Sequence, residues 1–165
     1  MNYQNFYEHM TGRIRESGAA CLTLRVLSRA ATGLMYLAYP LLLLFLWQRG
    51  TRGELLRAVI VPGISFWILT AVRAFINRPR PYETWEIAPL FHKDTKGKSM
   101  PSRHVFSSAV ISMAWLQTSV PVGILLLAVS AAAALFRVLG GVHYPSDVAA
   151  GYAAGILAGL LILFL

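Results

Sequence analysis

Five apolar stretches, at about residues 30–48, 55–76, 104–118, 122–139 and 148–165, constrain this chain more than any other feature, because each reads as a membrane span. Backbone polar groups inside hydrocarbon must find partners within their own segment, so such stretches are helices. With 56% hydrophobic and only 13% charged residues, the chain is too apolar for an ordinary soluble domain. The expected fold class is all-α: a polytopic membrane helix bundle, one domain over residues 1–165, multi-pass in the cell membrane.

Residues 3–27 mix Phe6, Tyr7, Met10, Ile14, Leu22, Leu24 and Leu27 with Arg13 and Arg15, which fits an interfacial amphipathic helix better than a span. Residues 1–29 are therefore expected to lie at the membrane surface, leaving five transmembrane helices, and no cleavable signal peptide is apparent. The single Cys21 provides neither an internal disulfide nor a metal cluster. A net charge of +8, from 15 Lys and Arg against 7 acids, suits an anionic lipid or phosphate, although basic loops flanking spans explain such a balance equally well.

The longest hydrophilic stretch, residues 77–103, carries Asn77-Arg78-Pro79-Arg80-Pro81 and later Lys93, Asp94, Lys96 and Lys98. A loop of this length in a small bundle points to function. The span order puts the end of the second span, the start of the third, the end of the fourth and the start of the fifth on one side. Arg73, Arg80, His104, Arg137, His143 and Asp147 are thereby expected to converge on one face.

Ser102 is a plausible N-cap for a helix opening at Pro101-Ser102-Arg103-His104, where free N–H groups and the positive end of the dipole favour an anion. Gly140-Gly141 permits a sharp turn, and His143 and Asp147, four apart, bring a carboxylate to an imidazole. Phosphoryl transfer through histidine needs those groups: a nucleophile, an orienting carboxylate, a second histidine for the leaving oxygen, and cations for the charged oxygens.

Arg73-x6-Arg80-Pro81, Pro101-Ser102-Arg103-His104 and Arg137-x5-His143-x3-Asp147 together resemble the three-part signature of the type 2 phosphatidic acid phosphatase family, over roughly residues 55–165. The resemblance implies a six-helix, metal-independent membrane phosphatase without cofactors, working through a phosphohistidine. It implies that His143 attacks phosphorus, Asp147 orients it, His104 protonates the leaving oxygen, and Arg73, Arg80, Arg137 and Ser102 hold phosphate. Three positions depart from the usual signature: Arg73 stands for Lys, Arg103 for Gly and Phe136 for Ser. Arg103 would either add a phosphate contact or point to lipid headgroups.

The expected partners are a membrane lipid phosphate and the bilayer, with no nucleic acid. Substrate candidates are undecaprenyl diphosphate, phosphatidylglycerol phosphate and phosphatidic acid, the first favoured by analogy with bacterial members. A non-catalytic lipid-phosphate binder or transporter is the alternative from another class. Arg78 and Arg103 are read as snorkelling anchors, His9 and His92 as surface residues, and Trp47, Tyr82 and Trp85 as interface aromatics. Gly151, Gly155 and Gly159 read as close packing inside the bundle, with a homodimer face as the alternative. The resemblance implies an extracytoplasmic site, whereas counting cations favours the opposite side.

Overall fold

A computed structural model describes residues 2–165 as seven helices: α1 (Tyr3–Glu16), α2 (Gly18–Arg49), α3 (Arg52–Ile76), α4 (Pro81–Thr84), α5 (Arg103–Leu116), α6 (Val120–Leu139) and α7 (Pro145–Phe164). Four of them, α2, α3, α6 and α7, are long and apolar enough to cross a bilayer. Leu37, Trp67, Phe75, Leu125 and Phe164 stand exposed on their outer faces, a surface that only lipid would cover at low cost.

Two boundaries differ from expectation. The surface helix ends at Glu16, because Ser17 is extended (φ −116°, ψ 110°) and its hydroxyl accepts the Ala20 N–H at 3.3 Å, restarting the helix at Gly18. Residues 18–27 therefore form the first turns of the spanning helix α2, whose 32 residues rise about 48 Å, beyond the hydrocarbon thickness of about 30 Å. The expected third span is the 14-residue α5, whose rise of about 21 Å falls short of a full crossing. It is the enclosed central helix.

Phe106, Val110 and Ala114 of α5 pack with Leu42, Leu69 and Ile162, while Val105 packs with Ala134, Val138 and Val148. Helix α7 approaches α5 along Gly151, Gly155 and Gly159, where an added Cβ would lie 2.5 Å from the Ser102 carbonyl oxygen, 2.6 Å from Ala109 Cβ and 2.2 Å from Met113 Cβ. The glycine stripe is occupied within the chain.

Short turns at Gly50–Thr51 and 117–119 make α2/α3 and α5/α6 antiparallel neighbours. The C-termini of α3 and α6 and the N-termini of α2, α5 and α7 consequently share one end. Helix α1 packs over that end, with Tyr7 fully buried and its hydroxyl donating to Leu139 O at 3.1 Å. Gly141 (φ +74°) makes the turn beneath it, where a Cβ would lie 2.6 Å from the Tyr7 hydroxyl.

Candidate active site

Arg73 is on the last turn of α3, where Asn77 ends the helix in the left-handed region (φ 42°) and starts the loop. Both motif arginines are buried, and each gives one N–H to a backbone carbonyl: Arg73 Nη1 to Pro101 O and Arg80 Nη1 to Val142 O, both at 2.9 Å. A guanidinium has five donors, so most of each fork has no protein acceptor here. The buried Arg80 Nε and the Ser102 Oγ have no hydrogen-bond partner among the described residues. Ser102 occupies the N-cap position of α5, yet its hydroxyl does not cap the helix. Buried donors in this condition call for an acceptor that the chain does not supply.

The two arginines face a cavity of about 280 Å³ lined also by Lys93, Arg103, His104 and His143, together with Lys96 and Lys98 of the loop. No carboxylate lines it. Burial, then the positive charges of Arg80, Arg137, Arg73 and Arg103, push the Lys93 ammonium down to about 8, an electrostatic setting that favours an entering anion.

His143 follows the Gly140–Gly141 turn and is 2% exposed, with Nδ1 3.5 Å from Asp147 Oδ2 and 3.3 Å from Ser99 Oγ. The Asp147 carboxylate is fully buried and heavily hydrogen-bonded. Its Oδ2 accepts from Ser99 Oγ at 2.5 Å and from the Tyr144 N–H at 2.9 Å, and its Oδ1 accepts from Arg78 Nη1 at 2.8 Å. Burial first, with Arg80 and Arg73 adding to it against the Asp147 hydrogen bond, pushes His143 down to about 4. The imidazole is neutral at pH 7, and because Nδ1 faces Asp147 and Ser99, Nε2 is the nitrogen left for a ligand.

Of the eight residues expected at the site, the structure brings Arg73, Arg80, Arg103, His104 and His143 onto one cavity, places Asp147 directly behind His143, and sets Ser102 beside it, where its N–H donates to Asp147 O at 2.9 Å. Arg137 does not line this cavity. It lines a second one of about 340 Å³, with Met35, Phe66 and Ile111, into which Arg103 and His104 also open.

Three expectations need correction. Arg78 is no snorkelling anchor: besides its Asp147 bond it donates to Ser146 Oγ at 2.7 Å and lies 4.1 Å over the Tyr144 ring. Arg103 lines both cavities, with its guanidinium 5.8 Å from the Phe66 ring centre, so it stands at the site as well as at the apolar wall. Tyr82 also departs from its expected interface role, its hydroxyl donating to Thr95 O at 2.5 Å and bracing the loop. Sequence reasoning did not find Ser99, Lys93 or the Arg78–Asp147 pair. Ser99 and Arg78 lie within three residues of a motif residue, the one signal that could have singled them out; Lys93 offered none.

Residues 53–165, more than half of the chain, match the PAP2 superfamily. No curated protein matches. Among solved structures, LpxE of Aquifex aeolicus is similar over 100% of both chains, with a TM-score of 0.76 at 19% identity. The transmembrane PAP2 type phosphatidylglycerolphosphate phosphatase of Bacillus subtilis is similar over 96% of this chain and 90% of its own, with a TM-score of 0.59 at 23% identity.

Proposed function

This chain belongs to the PAP2 superfamily, and we propose that it is a membrane lipid phosphatase which hydrolyses a phosphomonoester or diphosphate through a phosphohistidine on His143. The observation that carries this reading is the position of His104, which opens both to the basic cavity beside His143 and to the apolar cavity beyond it. A lipid phosphate laid across that junction has phosphorus among the cations and its bridging oxygen at His104.

The chemistry follows from that placement. Nε2 of neutral His143 attacks phosphorus, the bond from phosphorus to the leaving oxygen breaks with its electron pair going to oxygen, and His104 supplies that oxygen with a proton. Arg73, Arg80, Lys93 and the Ser102 hydroxyl stabilise charge on the three remaining oxygens, and Asp147 holds the imidazolium formed at Nδ1. Water, deprotonated by His104, then attacks phosphorus, the P–N bond breaks, and phosphate leaves with His143 neutral again. No step needs a metal, and we expect activity to withstand chelation.

Undecaprenyl diphosphate is the first candidate substrate by analogy, and the Bacillus subtilis neighbour adds phosphatidylglycerol phosphate. The test is phosphate release by purified protein in neutral detergent with EDTA, native against His143→Ala, on these two lipids, phosphatidic acid and a soluble ester. Release from a lipid, lost in the variant, is expected. Lipid binding without release would instead favour a binder or transporter.

A further inference from the structure

Beyond Arg137, away from the basic cavity, the same end of the bundle holds a third cavity of about 510 Å³. Arg25 and Arg29 of α2, Arg137 of α6 and His92 of the loop line it, with Ser28 and Tyr36, and no carboxylate does. The three ion pairs among the described residues leave all three arginines without an acidic partner. His92 is fully at the surface beside Asp94, at 3.2 Å, so the cationic character of the cavity comes from the arginines.

The three cavities are contiguous in order. Arg103 and His104 are shared by the first and second, and Thr32, Tyr36 and Arg137 by the second and third. Arg25 is fixed where it stands, its Nε donating to Leu90 O at 3.3 Å, and Ser28 is buried beside it. Arg25 and Arg29 are exposed, as interface anchors would be, but with Arg137 of the neighbouring helix they border one concave space, which adjoins His104 through the second cavity. Guanidinium groups so placed recognise phosphate-type oxygens.

We propose that this cavity is a second anion subsite, and that the substrate is therefore a lipid whose leaving group itself carries another phosphate-type anion, held by Arg25, Arg29 and Arg137 while the scissile phosphate is at His143. This rests on the phosphatase function proposed above and narrows its substrate class. A lipid with a single phosphate fills the basic cavity and leaves the arginines unpartnered.

The test compares two lipids with the same acyl chains in neutral detergent micelles, phosphatidic acid with one phosphate and phosphatidylglycerol phosphate, whose second phosphate is set off by a glycerol. Native protein is expected to favour the two-phosphate member of the pair. Arg29→Gln, and Arg25→Gln/Arg29→Gln, are expected to lower kcat/KM for that member at least tenfold more than for its one-phosphate counterpart, the scale of one lost charge-assisted contact. Equal losses on both members, or no loss on either, would overturn the subsite. A third arm adds anionic phosphatidylglycerol to the micelles: if native turnover of the one-phosphate lipid rises and the double variant abolishes the rise, the cavity holds bulk bilayer lipid and the proposal fails. Release from neither lipid, nor from undecaprenyl diphosphate, would sink the phosphatase function itself, which separates that failure from failure of the subsite. Retained melting temperature in the variants separates both from misfolding.

Discussion

At the scale of single residues, two groups of the basic cavity outside the spans, His143 and Lys93, bear on the expected pH range of activity. His143 attacks only when neutral, so turnover is lost as pH falls through its value of about 4. Lys93 is cationic only below about 8, so phosphate binding weakens as pH rises through that value. A bell-shaped kcat/KM profile is the expected outcome, its basic limb combining loss of the Lys93 charge with deprotonation of the acid His104, and Lys93→Met should change that limb without abolishing it. A basic limb unchanged in that variant would remove Lys93 from the site. Arg78 lies 2.8 Å from Asp147 and offsets its negative charge, so Arg78→Met leaves the carboxylate free to favour the imidazolium, and the acid limb should move to higher pH. Ser99 is closer to Asp147 than His143 is, at 2.5 Å against 3.5 Å, and it positions the carboxylate. Ser99→Ala should cost about ten- to a hundredfold in kcat with little change in KM, as for loss of a buried hydrogen bond. An equal loss in kcat and gain in KM would mark it as a phosphate contact instead. The motif residues were legible because spacing and span ends locate them; Ser99, Arg78 and Lys93 were not, since loop contacts follow no period and depend on how residues 77–102 fold back.

At the scale of elements, α5 and α7 form the frame that sets Ser102 and His104 against Asp147. At Gly151 the approach is to the Ser102 backbone, which no side-chain rotation can relieve. Gly151→Ala should therefore force the helices apart, at a cost of about 1–3 kcal/mol, typical of overpacking. A lower melting temperature in detergent together with reduced kcat is expected; unchanged values for both would mean that the helices close without this contact. The glycine spacing was readable in the sequence as packing. The shortness of α5 was not, because an apolar stretch bounded by Arg103 and Pro121 gives no sign of where Leu116 ends the helix. Nor was the break at Ser17, where a single capping hydroxyl divides surface helix from span.

At the scale of the whole molecule, the remaining matter is which side of the membrane the site faces. Five passes between the two ends, by α2, α3, α5, α6 and α7, put Leu165 at the end opposite the site. Cations are more numerous at the site end, where Arg13, Arg15, Arg25, Arg29 and the loop lysines gather, than at the other, which has Arg49, Arg52 and Arg57. Taken alone, that count would put the site in the cytoplasm. Many of those cations have other physical reasons to be there, however. Arg73, Arg80 and Lys93 line the basic cavity, Arg78 holds Asp147, and Arg15 and Arg25 donate to the carbonyls of Ala88 and Leu90. Lys96, Lys98, Arg103, Arg29 and Arg137 likewise line the cavities, and removing all of these from the count leaves Arg13 alone at the site end against Arg49, Arg52 and Arg57, a compact cluster beside a two-residue turn and the clearest topogenic signal. The site is accordingly expected on the extracytoplasmic face and Leu165 in the cytoplasm. A reporter active only in the cytoplasm, fused after Leu165, should be active; activity instead from a reporter that works only outside would place His143 on the cytoplasmic leaflet and turn the substrate search to lipids of that side.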